Sequence, residues 1–340
     1  MICFYEKRLR PSRVSLDFQG TGTGAPASMW RYTARQLGNA AITLVTVSLL
    51  VFMLNELTPG DVARKLLGPY AMQDQVDTLT RELGLDRSVF VRYFEYMGRA
   101  LTGDFGESTV FRKPVAALLQ DRLGNTMLLA LISFAVIVPF SVLLGVLAGM
   151  REKSATDRAV SVFSSVCASV PEFAMGVFLL AIFVVWLGVL PGTAPLTNSG
   201  GWPVWSQFVL PVAVVTLYDS GYLIAMIRSS MVEVMRQPYI RTAMLKGVSF
   251  RGVVLKHALR NALIAPFTVI LLQINYLVAG LVVVEMVFGF PGFGRMMLEA
   301  ALSKDVAVIE AGTLVAVTVT MLTQIGGDLG YRFLDPRISL

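Results

Sequence analysis

The sequence has few charged residues, one histidine and two cysteines. Only 15% of its 340 residues are Asp, Glu, Lys or Arg, whereas 55% are hydrophobic. Soluble domains carry about 25% charged residues, so this composition indicates a membrane protein. With His257 as the only histidine, no metal cluster built from several histidines can form. Cys3 lies in a polar tail and Cys167 in an apolar run, a separation that argues against an intrachain disulfide.

The sequence also lacks a phosphate-binding loop and a nucleophile placed beside a base. Glycines recur between Gly20 and Gly24, but no Gly-Lys-Ser/Thr follows them, so we expect no ATP site in this chain. The acids are scattered, which argues against an enzyme. The net charge of +6 is explained by attraction to an anionic inner leaflet, and nucleic-acid binding is not needed to account for it.

Long apolar runs with almost no charge dominate the rest of the chain. About 20 such residues cross a hydrocarbon core roughly 30 Å thick as a helix. Lipid offers no hydrogen-bond partners, so the backbone N–H and C=O groups of each span must form hydrogen bonds with one another. We therefore predict an all-α, polytopic membrane protein with about six transmembrane helices. The predicted spans are Leu37–Leu57, Asn125–Met150, Val160–Leu190, Phe208–Ile227, Ala262–Val287 and Val306–Ile325.

Lys and Arg are unevenly divided between the two sides of these spans. The side that holds both termini carries 18 of the 29, and nine of the other 11 lie in one long loop that largely escapes the positive-inside rule. Both termini are therefore predicted to be cytoplasmic. The predicted parts are a disordered extension (1–28), a first transmembrane helix (29–57), an extracytoplasmic helical loop domain (58–124), a transmembrane core (125–327) and a cytoplasmic tail (328–340).

The basic segment between the fourth and fifth spans has its own helix start and stop signals. Pro238 suits the first turn of a helix, Gly247 can adopt the left-handed conformation that ends one, and Ser249 can cap the next. A short helix is predicted at residues 238–247. Its side chains divide into Tyr239, Ile240 and Ala243 on one side and Arg241 and Lys246 on another.

Two interpretations of this short helix stay open from its pattern alone. A segment set apart from the spans can lie parallel to the membrane as a rigid knob that fits a groove on a soluble partner. Basic amphipathic segments are also commonly interfacial helices held by anionic lipid.

Ionisable residues inside the spans are the other functional candidates. Each costs on the order of 2.5 to 3.5 kcal/mol at a helix centre, so each should face protein or water. Asp219 lies well inside span four near Tyr222, while Glu172 follows Pro171, where span three would be kinked. The predicted translocation path is bordered by Asp219, Glu172, Tyr222 and Glu285; packing against neighbouring helices is the open alternative.

Specific motifs recur from Met29 to the end of the chain. Arg241-Thr242-Ala243, three residues and Gly247 occupy the places of a Glu-Ala-Ala-xxx-Gly signature. The other motifs are His257-Ala258-Leu259-Arg260-Asn261, Arg81-Glu82-Leu83-Gly84-Leu85-Asp86, Gly103-Asp104-Phe105-Gly106, Ser169-Val170-Pro171-Glu172-Phe173, Glu285-Met286-Val287-Phe288, Pro291-Gly292-Phe293-Gly294 and Asp335-Pro336-Arg337. Through them the chain resembles the inner-membrane permease subunits of binding-protein-dependent ATP-binding-cassette (ABC) importers, specifically the first permease of the dipeptide/oligopeptide/nickel branch.

The resemblance implies a type I ABC importer permease fold in the bacterial cytoplasmic membrane. It further implies a homologous second permease, two cytoplasmic ATPases that bind ATP and Mg, and an extracytoplasmic solute-binding protein that delivers peptide. The chain itself would be a transport subunit without a cofactor, surrounded by membrane lipid. The residues that would couple it to the ATPases are Tyr239, Ile240, Arg241, Thr242, Ala243, Lys246, Gly247, Ser249, His257 and Asn261.

A second function is compatible with the same spans. The intramembrane acids, Asp219 above all, also suit an ion-coupled secondary transporter or channel that acts alone. Transport by the purified chain under an ion gradient would favour this alternative, whereas an ATPase that co-purifies would favour the importer.

Overall fold

A computed structural model describes residues 25–57, 67–68, 70–82, 84, 86–196 and 203–334. Most of the predicted extension and the Asp335-Pro336-Arg337 motif lie outside these residues. The first helix begins at Ala25, so the last four residues of the predicted disordered extension are helical.

Regular structure in the described ranges is helical throughout. The elements are α1 (Ala25–Leu57), α2 (Gln73–Glu82), α3 (Val89–Leu101), α4 (Val115–Gly149), α5 (Ala155–Ser169), α6 (Glu172–Leu180), α7 (Val209–Met235), α8 (Pro238–Leu245), α9 (Phe250–Ala262), α10 (Ile264–Gly280), α11 (Val282–Val287), α12 (Phe293–Ser303) and α13 (Val306–Leu334). A π-helical turn, Ala181–Trp186, extends α6, and a 3-10 turn, Val204–Phe208, precedes α7.

Four of these helices are long and apolar enough to cross a membrane. They are α1, α4, α7 with its preceding turn, and α13. Two further candidates are bent pairs: α5 with α6 turns by 105°, and α9 with α10 turns by 57°. The described residues therefore contain up to six spans if each bent pair is counted as one, in line with the predicted number.

The third predicted span is bent at the predicted kink, whereas the fifth is wrong as a continuous helix. The third breaks at Val170–Pro171, because proline has no backbone N–H and clashes with the preceding turn. The fifth starts earlier, at Phe250, is interrupted at Leu263 and ends at Gly280, so that α11 is a separate short helix. The second span also begins ten residues before the predicted start, at Val115.

The main core forms where α4 and α7 lie side by side. Their close approach depends on Gly145 and Gly149, because a Cβ added at these positions would lie 2.7 Å from Ile227 and 2.6 Å from Met231. Small residues four apart allow helices to pack this closely in a membrane. Gly221 serves the other side of α7, where an added Cβ would lie 2.8 Å from the backbone of α5. Helix α7 is therefore held between two spans and carries the basic segment at its end.

Candidate coupling surface and intramembrane polar cluster

The short helix α8 forms for the local reasons that the sequence indicates. Pro238 is its first helical residue, and the chain leaves it at Gly247 with a φ of +80°. Ser249 then caps α9, because its Oγ accepts a hydrogen bond from the Gly252 N–H at 3.3 Å. The predicted helix at 238–247 is thus confirmed, with regular helical structure that ends at Leu245.

Ile240 does not belong to a surface that a partner can reach. Its side chain is fully buried and packs with Met231, Val253 and Ala258 in a small cluster of the chain's own residues. Ala243 is packed against the same cluster. Ile240, predicted to couple the chain to a partner, is thus packed within the chain itself, and the apolar side of α8 seats the helix on α7 and α9.

The opposite side of α8 is open and carries apolar as well as basic groups. Leu245 is 81% exposed, and Met244 beside it is also exposed. The side chains of Arg241, Thr242 and Lys246 are exposed as well. We call these five residues the coupling surface. Sequence reasoning missed Met244 and Leu245, since an exposed leucine on a short helix cannot be told from a buried one by spacing alone.

Asn261 and Tyr239 tie the coupling helix to α9. The Asn261 amide Nδ2 donates to the Tyr239 hydroxyl at 3.1 Å and to the His257 carbonyl at 2.9 Å. His257 thus contributes its backbone to this contact, while its side chain is exposed. The structure brings these three predicted residues together in one support behind the coupling surface.

Two ion pairs fix the base of this segment, and neither was predicted. Arg228 of α7 binds both carboxylate oxygens of Asp157, with Nη2 at 2.8 Å from Oδ2. Asp157 is buried and also accepts the Lys153 backbone N–H at 2.8 Å. A bidentate arginine contact fixes orientation as well as distance. Helix α7 and the turn before α5 therefore behave as one unit.

The second ion pair joins Arg236 to Glu152, two turns further along. Arg236 Nη2 lies 2.7 Å from each carboxylate oxygen of Glu152. Its guanidinium, hydrogen-bonded to that carboxylate, lowers the pKa of Glu152 below its usual value. Next to it, the Arg151 guanidinium lies 5.9 Å from the ring centroid of Phe250, the first residue of α9. The 151–154 turn consequently contacts the chain just before and just after α8, at Arg236 and Phe250.

A second group of predicted residues meets inside the membrane-spanning bundle. Asp219 of α7 lies beside Gln273 of α10 and within electrostatic reach of Glu172, at the bend between α5 and α6. The Tyr276 ring is close to both acids and 6.5 Å, centroid to centroid, from Tyr218. We call Asp219, Glu172 and Gln273 the polar cluster.

The polar cluster is incompletely satisfied within the described chain. Asp219 Oδ2, Glu172 Oε1 and Gln273 Nε2 are buried atoms without a hydrogen-bond partner there. Buried polar atoms are paired in the great majority of cases, so such a set needs an explanation. The three residues come from three helices and each has one such atom, although Gln273 lies within hydrogen-bonding reach of the Asp219 carboxylate and Tyr276 within that of Glu172.

Glu285 and Tyr222 do not join this cluster. Glu285 is fully buried, and its carboxylate accepts the Thr126 hydroxyl at 2.5 Å and the Arg295 backbone N–H at 2.8 Å. It thereby caps the first turn of α12, and the structure does not bring this predicted path residue together with Asp219 and Glu172. Tyr222 is exposed on the surface of α7.

Among the described residues, no group of three or more His, Cys, Asp or Glu is placed to hold a metal ion. The coupling surface lies on a helix held by the chain's own contacts, and the polar cluster lies further back along α7, against α6 and α10.

Comparison with known families and proteins gives a consistent result. The family described as "Binding-protein-dependent transport system inner membrane component" matches residues 141–340, and its N-terminal counterpart matches residues 29–130. The glutathione transport system permease protein GsiC of Escherichia coli (strain K12) is 34% identical over 310 residues, covering 91% of this chain and 99% of that protein. A protein of Brucella abortus (strain 2308), inferred to be a peptide transport system permease, is 34% identical over 307 residues, covering 89% and 97%. The crystal structure of an amino acid ABC transporter with histidines matches 64% of this chain and 94% of its own with a TM-score of 0.49 and 14% identity.

Proposed function

The chain belongs to the family of binding-protein-dependent transport system inner membrane components and is the permease subunit of an ABC importer; from this premise we propose that it moves short peptides into the cell. The proposal of peptide as cargo is supported by the names of the relatives, which are peptide and glutathione permeases. The coupling surface on α8 is the observation that carries the energy-coupling part of the proposal.

The proposed complex contains a homologous second permease, two ATPases that bind ATP and Mg, and an external binding protein. In this arrangement both termini and α8 lie in the cytoplasm, where the coupling surface docks into an ATPase. ATP favours the closed ATPase pair, and a ligand shifts an equilibrium only by its differential affinity for the two states. The permease turns that closure into a change of access across the membrane.

Rigidity of the support is what suits α8 to this task. A displacement of Leu245 by the ATPase is transmitted to α7 through Ile240, which is fully buried, and through the Asn261–Tyr239 hydrogen bond. The ion pairs at Asp157 and Glu152 pass it on to α5 and its preceding turn. Since packed interiors have few alternative arrangements, the displacement moves whole helices instead of being absorbed locally.

The proposed translocation path runs past the polar cluster. Asp219 and Glu172 present carboxyl oxygens without protein partners, which suits the ammonium group of a peptide amino terminus. Gln273 adds an amide N–H for a peptide carbonyl. These groups lie on α7, α6 and α10, so movement of α7 relative to the other two changes the geometry of this binding place.

The experiment that tests this function uses Leu245→Asp in the complete importer, purified with its ATPases and reconstituted with its binding protein. An exposed substitution changes folding stability by about 0.5 kcal/mol or less, so the permease should fold, yet the ATPases should be lost on purification and ATP-driven peptide uptake should cease.

Leu302→Asp is the matched control, because Leu302 is a leucine of similar exposure on α12. This variant should retain the ATPases. Normal uptake by Leu245→Asp would contradict the coupling role of α8. Transport by the permease alone under an ion gradient would contradict the importer.

A further inference from the structure

Helix α3, in the long loop between the first two spans, is attached to α1 by aromatic packing. Tyr93 and Tyr96 are buried, and their rings lie 5.5 Å and 6.1 Å, centroid to centroid, from that of Phe52. The Tyr93 hydroxyl is 2.8 Å from Ser48 Oγ. One face of α3 is thus fully used for its contact with the first span.

A second face of α3 is apolar and uncovered. Phe90 is 62% exposed, Phe94 70% and Leu101 83%. Their spacing of four and seven residues places them on one side of the helix. We call these three residues the apolar stripe. A contiguous exposed group of large apolar side chains marks a contact with something apolar.

The third face of α3 is polar and points away from the apolar stripe. Glu95 on this face pairs with Arg87 at 3.0 Å, and Arg99 is exposed. Arg92 forms an ion pair with Glu56, at the end of α1. A short helix with separate apolar and charged faces is typical of segments that lie in a membrane interface.

The position at which α3 contacts α1 indicates what surrounds the apolar stripe. Ser48 lies seven residues before Asn55, where the apolar run of α1 ends, which places the Tyr93 contact about 10 Å inside that run at 1.5 Å per residue. Arg92 reaches the boundary itself through Glu56. The helix therefore lies alongside the part of α1 that is in contact with hydrocarbon.

The side of α1 that faces away from α3 is also open and apolar. Leu50 and Leu54 are exposed there, and α1 is the least buried of the four single-helix span candidates. The span that carries α3 is therefore itself widely open to lipid.

We infer that α3 is a membrane anchor that lies in the interface, with Phe90, Phe94 and Leu101 inserted among the lipid acyl chains beside α1. The Glu95 and Arg99 side then faces the headgroups and water. Part of the loop predicted as an extracytoplasmic domain is accordingly a lipid-embedded support for the first span. This inference rests on the membrane fold and on α3 alone, and is independent of cargo and of the ATPases.

A nitroxide spin label tests the inference at two adjacent positions. Cys3 and Cys167 are replaced by serine, and Phe94→Cys or Glu95→Cys is then labelled in the full importer, reconstituted in vesicles of phosphatidylethanolamine and phosphatidylglycerol. At position 94 the label should collide several-fold more often with oxygen, which concentrates in lipid, than with a water-soluble nickel chelate. At position 95, one residue away at the same depth, this preference should be reversed.

Two results would overturn the inference. Nickel access at position 94 equal to that at position 95 would place the stripe in water. Low access to both reagents at position 94 would mean that protein, from the second permease or the binding protein, covers it. If Phe94→Cys does not fold, Phe90→Cys on the same stripe answers the same question. Peptide uptake by the labelled complexes reports separately on the proposed function.

Discussion

The base of the coupling helix and the polar cluster are both polar regions, but only the first is satisfied by the chain itself. At the base, Arg228 meets both oxygens of Asp157, and Arg236 meets both oxygens of Glu152. In the cluster, Asp219, Glu172 and Gln273 each keep a buried polar atom unpaired within the described residues.

Under the proposed function, the paired region transmits force and the polar cluster contacts the cargo. A satisfied network has one low-energy arrangement and resists deformation, which suits a lever. Unpaired groups carry a desolvation cost that a passing ligand can relieve in one state of the transporter and water in another. The proposed function therefore gives opposite roles to the polar residues at two places along α7.

The largest effect is expected from removing the ion pair between Asp157 and Arg228 at the base of α8. Asp157→Ala leaves the Arg228 charge without a partner, and removing one member of a buried ion pair costs roughly 3 to 5 kcal/mol. We expect the lower end of this range because the Arg228 side chain is 31% exposed. The measurement is thermal unfolding of the purified importer, with ATP hydrolysis and peptide uptake followed in parallel.

Asp157→Asn serves as control, because it keeps the side-chain shape and can still accept the Lys153 N–H. It should lose less stability than Asp157→Ala. An unchanged unfolding temperature for Asp157→Ala would show that the pair does not brace α7.

An intermediate effect is expected from a substitution in the polar cluster, at Asp219. Asp219→Asn removes the charge while it keeps the shape, so assembly and ATP hydrolysis should persist. Uptake of peptides with a free amino terminus should fall several-fold, whereas uptake of an N-acetylated peptide should change less. Initial uptake rates in reconstituted vesicles provide the measurement.

Glu285→Gln is the matched control for this variant. Glu285 is a span-associated acid whose partners are all supplied by the chain, so its loss should lower thermal stability without discriminating between the two peptides. Equal loss of both peptides in Asp219→Asn would argue that Asp219 serves packing only.

The smallest effect concerns pH and the exposed Glu152–Arg236 pair. The folded-state pKa of Glu152 lies below its usual value of 4.5 because Arg236 donates to the carboxylate. Because the folded-state pKa is lowered, the pair contributes fully to folding stability above pH 4.5. This contribution is lost as the pH falls through the folded-state pKa. Below pH 4.5 the unfolding temperature of the parent protein should fall slightly more than that of Glu152→Gln. The same loss in both proteins would assign it to other carboxyl groups.

Local signals in the sequence are enough to place the coupling helix. Pro238, Gly247 and Ser249 act through their own backbone preferences, which need no distant partner. The break at Pro171 follows from the same kind of rule. These elements could be predicted because each depends on residues within one helical turn.

The contacts that give the site its function depend on residues far apart in the chain. Asp157 and Arg228 are separated by 71 positions, and Thr126 and Glu285 by 159. Nothing in the spacing of either acid distinguishes it from Asp219. Only the packing of α4, α5 and α7 decided that two of these acids are paired and that the third is not.

The sequence by itself determined that this chain spans a membrane, roughly where it does so, and where a short basic helix interrupts the spans. Hydrophobicity and proline or glycine signals are local, so they can be read without the fold. The tertiary structure alone decided which apolar side chains face protein: Ile240 is buried and Leu245, five residues later, is exposed. The physical reason is that lipid and protein interior are both apolar, so a hydrophobic pattern in a membrane protein does not say which of the two a side chain meets.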